Sequence, residues 1–247
     1  MDTIRLGYPD ILLHEASAAA VARVLEAHDL EVEYVPAALA ALPALLDADA
    51  FDLLATAWLP ATDAALLASG RMQPLGLLYR PRFVWCVIGA APAAIGDLAA
   101  SSALDRRIVV DAASPLACLS EAALTAYGLQ AAGYVVERVD GAMALAWAEA
   151  GDASRIVPLS QPHGLLHAMR LRPLADPKLA LGGEQEARLL LRRALRPTLD
   201  GDLIDELDEL TLGNKVVSAL AHAMRTGGMS AQAAAEAWQR GRLSPRA

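Results

Sequence analysis

The first eighty residues switch repeatedly between two hydrophobic periods, and that alternation restricts the fold more than any other feature of the chain. Ile4, Leu6 and Tyr8 alternate as on a short strand, Ser17 to Ala27 make an alanine-rich amphipathic helix, and Glu31 to Val35 alternate again. A helix from about Leu39 to Leu46 and the apolar run Phe51 to Ala57 extend the series into a βαβαβ unit, which calls for a parallel sheet covered by helices. The pattern restarts downstream. Phe83 to Ile88, Arg107 to Val110, Tyr134 to Val139 and Arg155 to Leu159 read as strands, with helices over Leu119 to Tyr127 and Met143 to Glu149. From Glu184 the chain reads as charged and mostly helical. Asp200-Gly201-Asp202 makes a turn before Leu203 to Leu210, and Ser230 caps a last helix through Trp238.

Two proline-arginine interruptions, Arg80-Pro81-Arg82 and Arg170-Leu171-Arg172-Pro173, flank the second α/β run. They predict a chain that leaves one lobe, builds another and returns: residues 1–82 and 172–247 in lobe 1, residues 83–171 in lobe 2.

Composition removes several function classes. A net charge of -8 with no long basic cluster leaves no nucleic-acid footprint, and no apolar stretch is long enough for direct membrane insertion. The run Met1 to Leu6 already reads as a strand and lacks the regions of a secretory signal, which as written places the chain in the cytoplasm. Cys86 and Cys118 stand outside any CxxC or His-rich context, so they read as buried thiols or, in an exported protein, as one disulfide. Nucleotide-binding, zinc-protease and hydrolase motifs are absent, and no cofactor is implied. His163 and His167 have helical i, i+4 spacing, but without a third ligand nearby no metal site is expected.

Trp58-Leu59-Pro60 closes the third strand, where ligands bind in α/β folds. The indole is there either a ligand wall or a plug over the core. Leu6-Gly7-Tyr8, Ala57 to Thr62, Asp111 to Cys118, Ser160-Gln161-Pro162-His163 and Leu174 to Pro177, in this order, resemble the glycine betaine/proline betaine substrate-binding proteins of ABC transporters.

The resemblance implies a two-lobed, type II periplasmic binding protein-like α/β fold with the ligand in the interlobe cleft. It implies a receptor rather than an enzyme, an ABC permease as partner, and an extracytoplasmic location if a signal has been removed. A quaternary ammonium cannot donate a hydrogen bond, so aromatic faces hold it while amides or a histidine hold the carboxylate. Trp58, with Pro60 and Thr62 on its loop, matches one wall of that cage. Leu116 and Ser160 stand where the resemblance implies further tryptophans, and Thr62 where some members have a histidine. Ala117 and Cys118 offer backbone amides, His163 a polar contact, and Tyr8, Tyr79 or Trp85 substitute aromatics. Two missing walls, each worth roughly 0.5 to 2 kcal/mol, weaken betaine binding by up to about 1000-fold. The expected ligand is then betaine-like or a small carboxylate-bearing metabolite. The rival expectations are a cytoplasmic enzyme on the same scaffold, using His163, Glu15 or Asp111, and an intracellular sensor.

Overall fold

The computed structural model describes residues 3–90 and 92–243; Met1 and Asp2, part of the first expected strand, lie outside them. Among the described residues ten strands run in chain order: β1 (Thr3–Pro9), β2 (Glu31–Ala37), β3 (Leu53–Leu59), β4 (Met72–Tyr79), β5 (Arg82–Ile88), β6 (Arg107–Asp111), β7 (Val135–Val139), β8 (Val157–Gln161), β9 (Leu171–Pro173) and β10 (Glu186–Arg192). The helices are α1 (Leu12–Ala27), α2 (Leu42–Asp47), α3 (Pro115–Ala126), α4 (Gly141–Glu149), α5 (Gly164–Ala168), α6 (Gly201–Glu209), α7 (Asn214–Gly227) and α8 (Ala231–Gln239).

The chain divides into two compact units, one holding residues up to Pro81 and from Gln185 onward, the other Arg82–Glu184. The outward passage falls at the first proline-arginine interruption. The return does not fall at residue 172, because Leu171–Pro173 is strand β9, hydrogen-bonded to β5 inside the second unit.

The first unit is built on a five-stranded sheet of order β2-β1-β3-β10-β4. β1, β2 and β3 are parallel, as the alternating pattern requires, whereas β10 enters antiparallel between β3 and β4. The charged tail beginning at Glu184 is therefore not helical at first. Its run Glu186–Arg192 holds Ala187, Leu189, Leu190 and Leu191 buried between charged residues, which is a strand signal hidden among charges. β4 has no expectation in the sequence, because Pro74 and Gly76 interrupt its apolar run.

Alanine bias has a packing cause. α1 lies against β1 and β3 on one side and against α7 and α8 on the other, so Ala16, Ala18, Ala19, Ala20 and Ala22 are all buried. Small side chains let the three layers approach. The opposite sheet face packs Leu54, Ala57, Leu59 and Leu190 against Leu42, Leu46 and Phe51. Ser230 caps α8 through Ala233 N–H, as its sequence position suggests.

In the second unit β5 pairs antiparallel with β8 and β9, and β6 pairs in parallel with β7. Trp85 is fully buried and its Nε1–H donates to Ser120 Oγ on α3 at 3.1 Å, making it a core residue.

Gly76 is where α6 meets the sheet. Its φ is +60°, its N–H donates to Asp208 Oδ1 at 2.8 Å, and an added Cβ would stand 2.6 Å from the Leu207 carbonyl oxygen. Backbone strain and a backbone clash both oppose a side chain there, so Gly76→Ala should destabilise the protein by about 1–3 kcal/mol or more. The midpoint of urea unfolding measures this; an unchanged midpoint contradicts the packing described.

Candidate functional site

Trp58 owes its position to one extra residue in β3. Leu54 pairs with Leu190 and Ala57 with Arg188, so three steps along β3 match two along β10. Such a β-bulge reverses the side-chain alternation beyond it. Leu54, Ala57 and Leu59 accordingly share the α2 face, and Trp58 turns to the α1 face beside His14. The extra residue lies at Thr56, which is fully buried with φ at +67°, an outlying conformation for a β-branched side chain.

Trp58 is itself buried, 5% exposed. Its Nε1–H donates to the Tyr79 hydroxyl at 3.2 Å, and its ring centroid lies 5.6 Å from that of His14. His14 Nδ1 is hydrogen-bonded to Thr56 Oγ1. Burial pushes the Tyr79 hydroxyl up to about 12, partly offset by the hydrogen bond it accepts from Trp58. Tyr79, a candidate substitute aromatic, thus stands behind Trp58 as its hydrogen-bond partner.

The loop after β3 is closed on itself. Trp58 N–H donates to Asp63 Oδ2 at 2.6 Å and Asp63 N–H returns to the Trp58 carbonyl at 2.9 Å. Thr62 and the buried Gln185 exchange two hydrogen bonds: Thr62 N–H to Gln185 Oε1 at 2.8 Å and Gln185 Nε2–H to Thr62 Oγ1 at 2.9 Å. Pro60 and Thr62 are held in this way with their side chains exposed. Tyr8, at the end of β1, is buried and meets Tyr34 edge to face at 6.2 Å.

The candidates of the second unit gather less tightly. α3 begins at Pro115 with Ser114 as its cap, Leu116 and Ala117 are buried and Cys118 is exposed. Ser114 consumes the helix-end donors: its Oγ accepts from Leu116 N–H at 3.2 Å and its carbonyl from Ala117 N–H at 3.0 Å. The Ala117 amide expected to face an anion is therefore already bonded within the chain. Ser160 lies on β8 opposite Phe83, half-buried. His163 caps α5, its Nδ1 accepting from Leu165 N–H at 3.1 Å, which leaves Nε2 to carry the proton of the neutral ring. His163 stands at the cap and His167 in the last turn of this short helix, and among the described residues no group of three or more His, Cys, Asp or Glu side chains is placed to hold a metal ion. Both cysteines are free, and burial raises the Cys86 thiol to about 12.

A cavity of about 550 Å³ in the first unit opens elsewhere, at the amino ends of β1 and β3, among Thr3, His28, Asp52 and Leu203. Of its two carboxylates, Asp52 is spent on Arg5 at 2.8 and 3.0 Å, and Asp200 caps α6, accepting from Asp202 N–H at 2.8 Å. It lies at the wrong edge of the sheet for a strand-end site.

The family described as the substrate-binding domain of ABC-type glycine betaine transport systems matches residues 2–240. The chain belongs to that family. The fold agrees with solved members. Lactococcal OpuAC complexed with glycine betaine superposes with a TM-score of 0.79 at 20% identity, covering 98% of this chain and 96% of that one. The glycine betaine/L-proline-binding protein ProX of Borrelia burgdorferi gives 0.75 at 19%, covering 95% and 91%. An ABC-transporter choline-binding protein in complex with choline gives 0.73 at 16%, covering 97% and 88%. No curated protein sequence matches significantly. The α/β architecture is that of type II periplasmic binding proteins, and the chain is a small-molecule substrate-binding protein of the ABC-transporter class. This family consists of transport receptors rather than enzymes.

Sequence reasoning named Trp58 but gave His14 no role. The missing signal was tertiary, since His14 and Thr56 are 42 residues apart in sequence. Burial alone lowers the His14 imidazole from its ordinary 6.5 to about 3. Between those values the unfolded chain binds a proton that the folded protein refuses, so this contribution to stability is intact above about pH 6.5 and is lost as pH falls toward 3. The loss approaches about 1.4 kcal/mol per pH unit. Urea unfolding at pH 7, 5.5 and 4.5 should show a steeper decline in the parent than in His14→Asn; parallel declines would contradict a buried neutral imidazole.

Proposed function

We propose that this protein is the receptor of an ABC transporter for a small carboxylate-bearing compound, that it binds glycine betaine only weakly, and that Trp58 is its principal aromatic contact. The reading is carried by the indole fixed at the end of β3, next to the exposed Pro60–Thr62 loop, in a chain of this family. Relatives of the same fold are complexed with glycine betaine or choline, and both ligands carry a quaternary ammonium. That group gains affinity in proportion to the aromatic faces around it.

This chain has few such faces to offer. Leu116 is a buried aliphatic residue and Ser160 a half-buried hydroxyl at the two positions where the resemblance implies tryptophans. Trp85 is locked in the core, and Tyr79 stands behind Trp58. Tyr8 remains as the second aromatic at a strand end. For the carboxylate, Thr62 in the first unit and His163 with the Cys118 amide in the second are the polar groups on offer. The loaded protein would deliver its ligand to the permease of its transporter. Nothing in the geometry favours the enzyme or the sensor: His163 Nδ1 is bound to the helix it caps, and Asp111 Oδ1 accepts from Ala113 N–H at 3.0 Å.

Calorimetry with glycine betaine, choline, proline and acetate tests the specificity. Glycine betaine should bind at a Kd well above the micromolar range, and micromolar or tighter binding would overturn the reading. Trp58→Phe tests the wall. Because the residue is buried, truncation to alanine would cost the roughly 3–5 kcal/mol of a core site and confuse the readings. The phenyl variant should keep most of the stability while weakening the tightest probe about 3- to 10-fold. Unchanged affinity would make Trp58 a plug.

A further inference from the structure

We propose that Tyr79, Thr56 and His14 are positioning residues that lock the plane of the Trp58 indole before a ligand arrives. The inference deepens the reading of Trp58 as a ligand contact and rests on it.

The direction of the hydrogen bonds carries the argument. An indole nitrogen only donates, so the Tyr79 hydroxyl must accept from Trp58 Nε1–H and turn its own proton elsewhere. The groups around it are the hydroxyls of Ser17 and Thr56. Ser17 Oγ donates to the Leu13 carbonyl at 3.0 Å, which leaves its lone pairs to accept. Thr56 Oγ1 is held by His14 Nδ1, and the His14 ring also lies against the Trp58 ring, with 44° between the planes. Every member is buried. Rotating the indole would strand its own N–H and the acceptor behind it in an apolar layer where water does not replace them.

The backbone serves the same end. Thr56 takes a φ of +67° inside a buried strand, and that bulge is what turns the Trp58 ring from the α2 face to the α1 face, where His14 meets it. Strain at a β-branched residue persists where the surroundings over-determine it. A plain core plug needs neither the bulge nor a directed chain of polar groups. A ligand wall gains from both, because an aromatic face ordered in advance loses no rotamer freedom on binding.

The test follows the Trp58 indole 15N–1H resonance, assigned by its loss in Trp58→Phe, together with affinity for the tightest of glycine betaine, choline, proline and acetate. Tyr79→Phe should shift that resonance, speed its hydrogen exchange and weaken binding about 5- to 20-fold. Thr56→Ser, which keeps the hydroxyl, should bind like the parent, whereas Thr56→Val should bind like Tyr79→Phe. In a Trp58→Phe background the Tyr79→Phe effect on affinity should vanish. An unmoved indole resonance in Tyr79→Phe overturns the proposal, as does an equal loss of affinity in both backgrounds. A Trp58→Phe variant that binds as tightly as the parent, or a parent that binds none of the four probes, overturns instead the reading beneath it and the proposal with it.

Discussion

The first unit depends on the insertion of β10 between β3 and β4. A strand supplied from beyond residue 184 covers both open edges, completes the hydrogen bonding of β3 and makes every residue of Leu53–Leu59 buried. Its mismatch in length against β3 forces the bulge at Thr56, and a second mismatch against β4 falls where Gly76 turns to a positive φ. The sheet cannot be completed locally. The second unit is thereby an excursion from a sheet whose fourth strand in spatial order is the last strand among the described residues.

Both irregularities have consequences for neighbouring layers. At Gly76 the absent side chain admits the backbone of α6 and lets the amide bond to Asp208. At Thr56 the reversal of alternation sends an indole toward α1, where an ordinary strand would have sent it toward α2. α1 meets it with His14 and Ser17, two polar residues in an otherwise alanine-rich buried surface. Polar groups at such depth persist only when satisfied. Here His14 is bonded to Thr56 and lies against the Trp58 ring, and Ser17 donates to the Leu13 carbonyl, so the order of Trp58 is tied to the order of the core itself.

Family and ligand separate at this point. A complete match to the substrate-binding domain fixes the class of protein, while the cage that a quaternary ammonium needs depends on a few aromatic faces. Leu116 and Ser160, the residues at the two positions where the resemblance implies tryptophans, sit in elements held by other groups: Leu116 is buried in the first turn of α3 and Ser160 lies opposite Phe83 in the β5–β8 ladder. Side chains at strand and helix ends are free to vary in this way, since the sheet ladders and helix caps that hold them are made by backbone and by neighbours such as Ser114.

Much of the fold was legible in the sequence. Periods of 2 and 3.6 marked the parallel strands and α1, the flanking Trp58-Leu59-Pro60 marked a strand end, Ser230 marked a cap, and the ordered segments marked the family. Each of these is a local signal, carried by residues that must satisfy their own backbone or hydrophobic face whatever the rest of the chain does. β4 and β10 were not legible, because proline and glycine broke the one and charges disguised the other, and only their pairing in the sheet makes them strands. The return passage at Gln185, the engaged amide of Ala117 and the inward turn of Tyr79 likewise rest on partners far away in sequence. The site shows the division most sharply. The sequence by itself determined that an indole would stand at the end of β3. Only the tertiary structure decided which way it faces, because that depends on one extra residue in a strand paired with another more than a hundred residues away.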